Sequence, residues 1–164
     1  MNEARLPAAL ILAASIAVLG AAFLFQYVGG LAPCVLCIDQ RYPYGVTIAL
    51  SLLALLLADR RARGALLLLS ALAFAIGAGI AVFHVGVEHH WWEGTAACTG
   101  SAAGGPAGSL DALRAQVMGA KVVRCDRIPW SLFGISMAGY NAMISAALAL
   151  FSLGAARRAL GGRR

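Results

Sequence analysis

The chain has 164 residues, of which 61% are hydrophobic and only 12% charged, and its mean hydropathy is +0.81. A soluble domain carries about 25% charged residues, so this composition excludes an ordinary water-soluble globule and indicates one lipid-embedded domain spanning residues 1–164. The net charge of +6 and the pI near 9.7 would suit a nucleic-acid binder, but the basic residues lie where a membrane protein keeps them.

Crossing the hydrocarbon core takes about 20 mostly apolar residues in a helix. Ala8–Val28 is the first such segment. Its apolar run exceeds the ~7–15 residues of a signal-peptide core, and no small-x-small site closes it, so a retained span is expected. A short loop over residues 29–41 follows, with Gly29 and Gly30 leading into PCVLCIDQR, Pro33 to Arg41. The second span covers about Tyr42–Ala58, which is short for a crossing; its helix has room to begin further back, within CIDQR. After DRRARG comes the third span, Ala65–Val87.

A long loop, residues 88–129, opens with EHHWWEG, a pattern suited to the lipid–water boundary. It continues through a tract rich in Gly, Ser and Ala, and then LDALRAQV. There Leu110, Leu113 and Val117 fall at helical spacing behind a capping Ser109, which predicts a short amphipathic helix on the membrane surface. The fourth span is Trp130–Leu153. Small residues such as Gly77, Gly79, Gly134, Ser136 and Gly139 suit close helix packing. The expected fold is therefore an all-α membrane protein, a four-transmembrane-helix bundle with an interfacial helix in its second outer loop. Helices are required because backbone polar groups in lipid need partners within the chain.

Basic residues set the orientation. Arg5, the loop arginines Arg60, Arg61 and Arg63, and the tail arginines Arg157, Arg158, Arg163 and Arg164 fall on one side of a four-span bundle. That side, with both termini, is expected to be cytoplasmic. In the long outer loop, Glu88, Glu93, Asp111 and Asp126 offset the basic residues.

Cys34, Cys37, Cys98 and Cys125 all lie on the opposite, oxidising side, where disulfides persist. A C-x-x-C at a helix start can close a small ring, and the helix N-terminus and a nearby cation favour the thiolate. With CIDQR helical, Arg41 shares a face with Cys37, where it would steady a thiolate or polarise an oxygen of an electron acceptor. A four-cysteine zinc site is the alternative, although zinc knuckles usually present two C-x-x-C pairs and Cys98 and Cys125 are far apart. Joined to each other, Cys98 and Cys125 would close a long exposed loop open to attack by another protein's thiolate. Lys121, Arg124 and Arg127 would favour the Cys125 thiolate, and a static staple is the competing reading.

At the outer end of span three, His84, Glu88, His89 and His90 cluster. Ionisable groups at a span are candidates for function. A headgroup-level position beside Trp91 and Trp92 is the alternative, favoured for His90, and packing or hydrogen bonding is favoured for His84. A dithiol that is repeatedly reduced must pass two electrons onward. No dinucleotide-binding glycine pattern, haem attachment motif or iron–sulfur run appears, so a lipid-soluble quinone is the expected sink.

PCVLC with its arginine at the head of span two, EH after span three and two loop cysteines before span four resemble the bacterial disulfide bond formation protein B (DsbB) family. The flanking FQYV and PWSLFGISMAGYNA also resemble it, and the likeness covers essentially the whole chain. The resemblance implies a quinone-dependent thiol oxidase of the inner membrane. It implies that Cys98 and Cys125 form a periplasmic shuttle pair, Cys98 forming the mixed disulfide with a thioredoxin-fold dithiol oxidase (DsbA-like) and Cys125 then exchanging with Cys34. Cys37 would face ubiquinone or menaquinone, Arg41 would help hold it, and His89 would lie beside it. Gln40 stands where this family often has a glutamate, with Asp39 adjacent. Two other readings are a vitamin K epoxide reductase-like enzyme, whose loop cysteines usually precede the C-x-x-C, and a non-enzymatic stapled or zinc-binding scaffold.

Overall fold

The computed structural model describes residues 5–98 and 123–161. Helix α1, Arg5–Tyr27, ends at a glycine pair. A Cβ at Gly29 would sit 2.7 Å from the Phe25 carbonyl oxygen, and Gly30 takes a φ of +66°, a region glycine enters without strain. The chain thereby leaves the helix, and after Pro33 a short helix α2, Val35–Asp39, begins. The Cys34 sulfur caps it, accepting the Cys37 N–H at 3.2 Å. Gln40 keeps a helical backbone between α2 and α3, Arg41–Leu56, so the two are nearly continuous.

The turn after α3 is tied by one side chain. Buried Arg63 donates to the Leu57 and Ala58 carbonyls at 2.9 and 2.8 Å, satisfying acceptors that a helix end leaves open. Asp59 caps α4, Arg60–Glu88, by accepting the Ala62 N–H at 2.7 Å. A 3-10 turn, Ala96–Cys98, follows. The expected amphipathic helix around Leu110–Val117 lies outside the described residues.

Trp130–Ser136 does not begin the last helix, as its apolar character led one to expect. Strands β1, Ser131–Leu132, and β2, Ile135–Ser136, pair in a small antiparallel ribbon. Its turn is Phe133-Gly134, with φ of 51° and 77°, the mirror-image geometry that two-residue hairpins prefer. Helix α5, Met137–Gly161, starts only after Ser136, whose hydroxyl accepts the Gly139 N–H at 3.1 Å.

Helix α1 packs on α3, α3 on α4 and, most extensively, α4 on α5, while α1 and α5 scarcely meet. Ile11, Tyr44, Leu67 and Phe74 form the core with small residues such as Ala54 and Ala156. The Tyr44 and Phe74 rings meet edge to face at 5.7 Å. Ser15 and Thr47 hydrogen-bond inside the bundle at 3.0 Å, while Leu10, Leu24, Leu52, Leu72, Ile76 and Leu150 face outward. Polar atoms inside and leucines outside is the pattern of a lipid-facing bundle. Helices α1, α4 and α5 are long and apolar enough to cross a membrane, so this is a helical membrane protein. At 16 residues, α3 measures about 24 Å against a core of about 30 Å.

Candidate functional site

The outer end of the bundle gathers all four cysteines. Cys34, Leu36, Val87, Cys98 and Cys125 form one buried cluster, with Cys37, Phe83 and Val123 against it. Cys98 and Cys125 are joined in a disulfide with Cα atoms 5.2 Å apart. Cys34 and Cys37 are free, their sulfurs 2.7 Å apart. Capping α2 is what turns the Cys34 side chain toward Cys37. The two sulfurs are in direct contact, and Arg41 opens α3 one helical turn after Cys37. That contact and burial push Cys34 up.

The loop pair was expected to be exposed. Instead Cys98 retains 3% of its surface and Cys125 none, because both pack on the inner pair. Thr95 donates to the Cys98 sulfur at 3.4 Å. Arg124, expected to favour a Cys125 thiolate, binds Asp126 instead, with Nε to Oδ1 at 2.8 Å, and pulls that carboxyl down to about 2.

The His84 ring bridges the two pairs. Its Nε2 lies 3.6 Å from the Cys34 sulfur and 3.9 Å from Glu88 Oε1, and the ring also meets the Cys125 backbone. Glu88 accepts the Ser136 hydroxyl at 2.5 Å, tying the end of α4 to the start of α5. On the far side of His84, Nδ1 is 2.9 Å from Gln40 Nε2. Gln40 Oε1 accepts from Asn141 Nδ2 at 2.6 Å, and Asn141 Oδ1 accepts from the Tyr44 hydroxyl at 2.6 Å. The sequence reading assigned no role to Asn141 or Tyr44 and noted Gln40 only as a departure. Each is a polar side chain in an apolar stretch, a signal available in the sequence.

Below the cysteines is a cavity of about 470 Å³, in the gap that α1 and α5 leave between them. Leu19, Ala22 and Phe25 of α1 and Ala138 and Ile144 of α5 supply apolar walls; Cys37, Gln40, Arg41 and Asn141 supply the polar ones. Its volume falls within the roughly 300–1,000 Å³ of small-molecule sites, and its mostly apolar lining with a few converging polar groups is their usual composition. Arg41 is braced at its rim, donating to Gln26 Oε1 at 2.6 Å and lying 5.0 Å from the Phe23 ring centroid. His89 is not among the lining residues: it is exposed, ends α4 and stacks on Trp91 at 5.5 Å. His90 is exposed too, in the turn beyond it, at a φ of 58°.

Among the described residues, Cys34, Cys37 and His84 could bring three metal-ligating atoms together, all within 4.8 Å of one another. A zinc site built from all four cysteines does not fit, because two of them are consumed in a disulfide.

Residues 4–155 match the model of the family described as disulfide bond formation protein DsbB. Disulfide bond formation protein B of Verminephrobacter eiseniae is 35% identical over 161 residues, covering 95% of this chain and 88% of the relative. The protein of the same name from Methylococcus capsulatus is 34% identical over 148 residues, with 84% of each chain covered. An uncharacterised protein of Rickettsia prowazekii is 26% identical over 137 residues, covering 84% of this chain and 78% of its own. No solved structure matches.

Proposed function

The chain belongs to the disulfide bond formation protein DsbB family, and from that premise we propose that it is a quinone-dependent thiol oxidase of the bacterial inner membrane. Its substrate is the reduced dithiol of a periplasmic thioredoxin-fold oxidase. One observation carries the reading: both cysteine pairs share one buried cluster, and the inner pair also lines a mostly apolar cavity between α1 and α5. A relay between a water-borne donor and a lipid-dissolved acceptor needs that arrangement.

The partner's thiolate attacks Cys98; the Cys98–Cys125 bond breaks and Cys125 leaves as a thiolate. The partner's second thiol closes the partner's own disulfide and frees Cys98. Cys125 next attacks Cys34 of an oxidised inner pair, and Cys37 leaves as a thiolate. Cys98 then attacks Cys125, restoring the loop disulfide and leaving Cys34 and Cys37 with two electrons.

A bound quinone supplies a two-electron, two-proton acceptor for the inner pair. Arg41 would hold it by a donated hydrogen bond, as the guanidinium is already fixed at the cavity rim by Gln26 and Phe23. Leu19, Phe25 and Ile144 would exclude water from it. Cys37, which lines the cavity beside Arg41, is the sulfur presented as thiolate. The α2–α3 unit, Val35–Leu56, completes a fourth crossing, since the short helix and Gln40 lengthen α3 outward. Both termini and Arg60, Arg61 and Arg63 then lie in the cytoplasm, with the cysteines periplasmic.

Reconstituted protein given the reduced partner should reduce quinone. Cys34→Ser and Cys37→Ser should each bring turnover to the uncatalysed rate, and full turnover in either variant would sink the relay.

A further inference from the structure

A run of hydrogen-bond contacts leads from the bundle interior to the inner cysteines. The direction is set at Gln40. Its side-chain nitrogen lies 3.0 Å from the Leu36 carbonyl, a group that only accepts. That atom must therefore be the NH2, and its second hydrogen faces His84 Nδ1 at 2.9 Å. Nδ1 is thus the acceptor, and the ring proton sits on Nε2, which faces the Cys34 sulfur at 3.6 Å, with Glu88 Oε1 farther off at 3.9 Å and the Cys125 backbone beside the ring. The other end agrees. Gln40 presents its oxygen to Asn141 Nδ2 at 2.6 Å, and Asn141 presents its own oxygen to the Tyr44 hydroxyl at 2.6 Å.

We propose that Tyr44, Asn141, Gln40 and His84 are positioning residues that hold negative charge on Cys37 through Cys34, by a chain in which every group donates in the same direction. Tyr44 donates to Asn141, Asn141 to Gln40, Gln40 to His84, His84 to Cys34, and Cys34 to Cys37. Each donor in such a chain is polarised by the bond it accepts, and the effect is larger inside a protein than in water. The last donor, the Cys34 thiol, ends on the sulfur that shares the cavity wall with Arg41 one helical turn on. The same chain answers the metal-like grouping of Cys34, Cys37 and His84. A metal on Nε2 would move the ring proton to Nδ1, where it would meet the Gln40 N–H.

The function of the chain of donors rests on the reading of Cys37 as the acceptor-facing thiolate, but its test uses neither quinone nor partner. In a Cys98→Ser, Cys125→Ser background the reduced protein is alkylated with iodoacetamide at neutral pH, and modification of Cys37 is followed by mass mapping. Asn141→Leu and Gln40→Leu, which alter no cysteine, should slow Cys37 alkylation about three- to tenfold. His84→Gln, whose amide N–H reaches the same place, should keep most of the parent rate. Unchanged rates in both leucine variants would overturn the proposal. Nitrogen-15 spectra of the unsubstituted reduced protein read the tautomer with no variant to fold: a proton on Nε2 is expected, and a proton on Nδ1 would overturn the proposal. If the tautomer and rates are as expected but reduced partner never drives quinone reduction, the oxidase reading alone falls.

Discussion

The two cysteine pairs lie in one cluster but are built by opposite means. Cys34 and Cys37 belong to a helix turn, and their geometry comes from local backbone: an N-cap, a three-residue spacing and an arginine one turn on. Cys98, at the end of a 3-10 turn, and Cys125 are 27 residues apart, so the bond between them and their burial against Leu36 and Val87 come from packing. The inner pair also has a polar lineage into the bundle through His84, whereas the loop pair has Thr95 on its Cys98 sulfur. A pair on rigid helix with polarised partners suits a fixed acceptor; a pair on loop suits a partner that arrives from solution.

The largest effect should separate the pairs outright. Cys98→Ser should abolish oxidation of the partner protein, yet leave quinone reduction by a small dithiol that reaches Cys34 and Cys37 directly. Equal loss of both activities, measured side by side, would mean that the pairs do not act in series. Arg41→Leu comes next, with the quinone KM rising about tenfold for one lost charge-assisted hydrogen bond; the Cys98–Cys125 bond should react with a thiol at its former rate. Leu36→Ala removes a side chain buried between the pairs and should cost about 2–4 kcal/mol in denaturant unfolding. It should loosen both pairs together, as one shared cluster requires.

The smallest effect belongs to Arg124 and Asp126. The Asp126 carboxyl is depressed to about 2, so any contribution is present above the ordinary Asp value of about 3.9 and lost as pH falls through about 2. The pair is at the surface, where ion pairs are screened, so Asp126→Asn should leave Tm unchanged at pH 7.

Much of the site was legible because it is local. PCVLCIDQR carries the cap, the thiol spacing and the arginine, and the α2–α3 helix does reach back into it. The start of the last helix was not legible, because hydropathy scores Trp130–Ser136 as readily for a span as for a hairpin, and Phe133-Gly134 decides by taking positive φ. The burial of Cys98 and Cys125 was not legible either, since nothing in the residues beside either cysteine says that it packs against Leu36 and Val87.

The sequence by itself determined the membrane class, the long helices and the chemistry of the C-x-x-C, because apolar run length and a three-residue spacing act over one helix. Tertiary structure alone decided which groups surround the sulfurs. Gln40 and Asn141 are 101 positions apart, and His84 and Gln40 are 44 apart. Only the packing of α3, α4 and α5 brings them within hydrogen-bond distance. Direction in a hydrogen-bond chain depends on partners that periodicity cannot see.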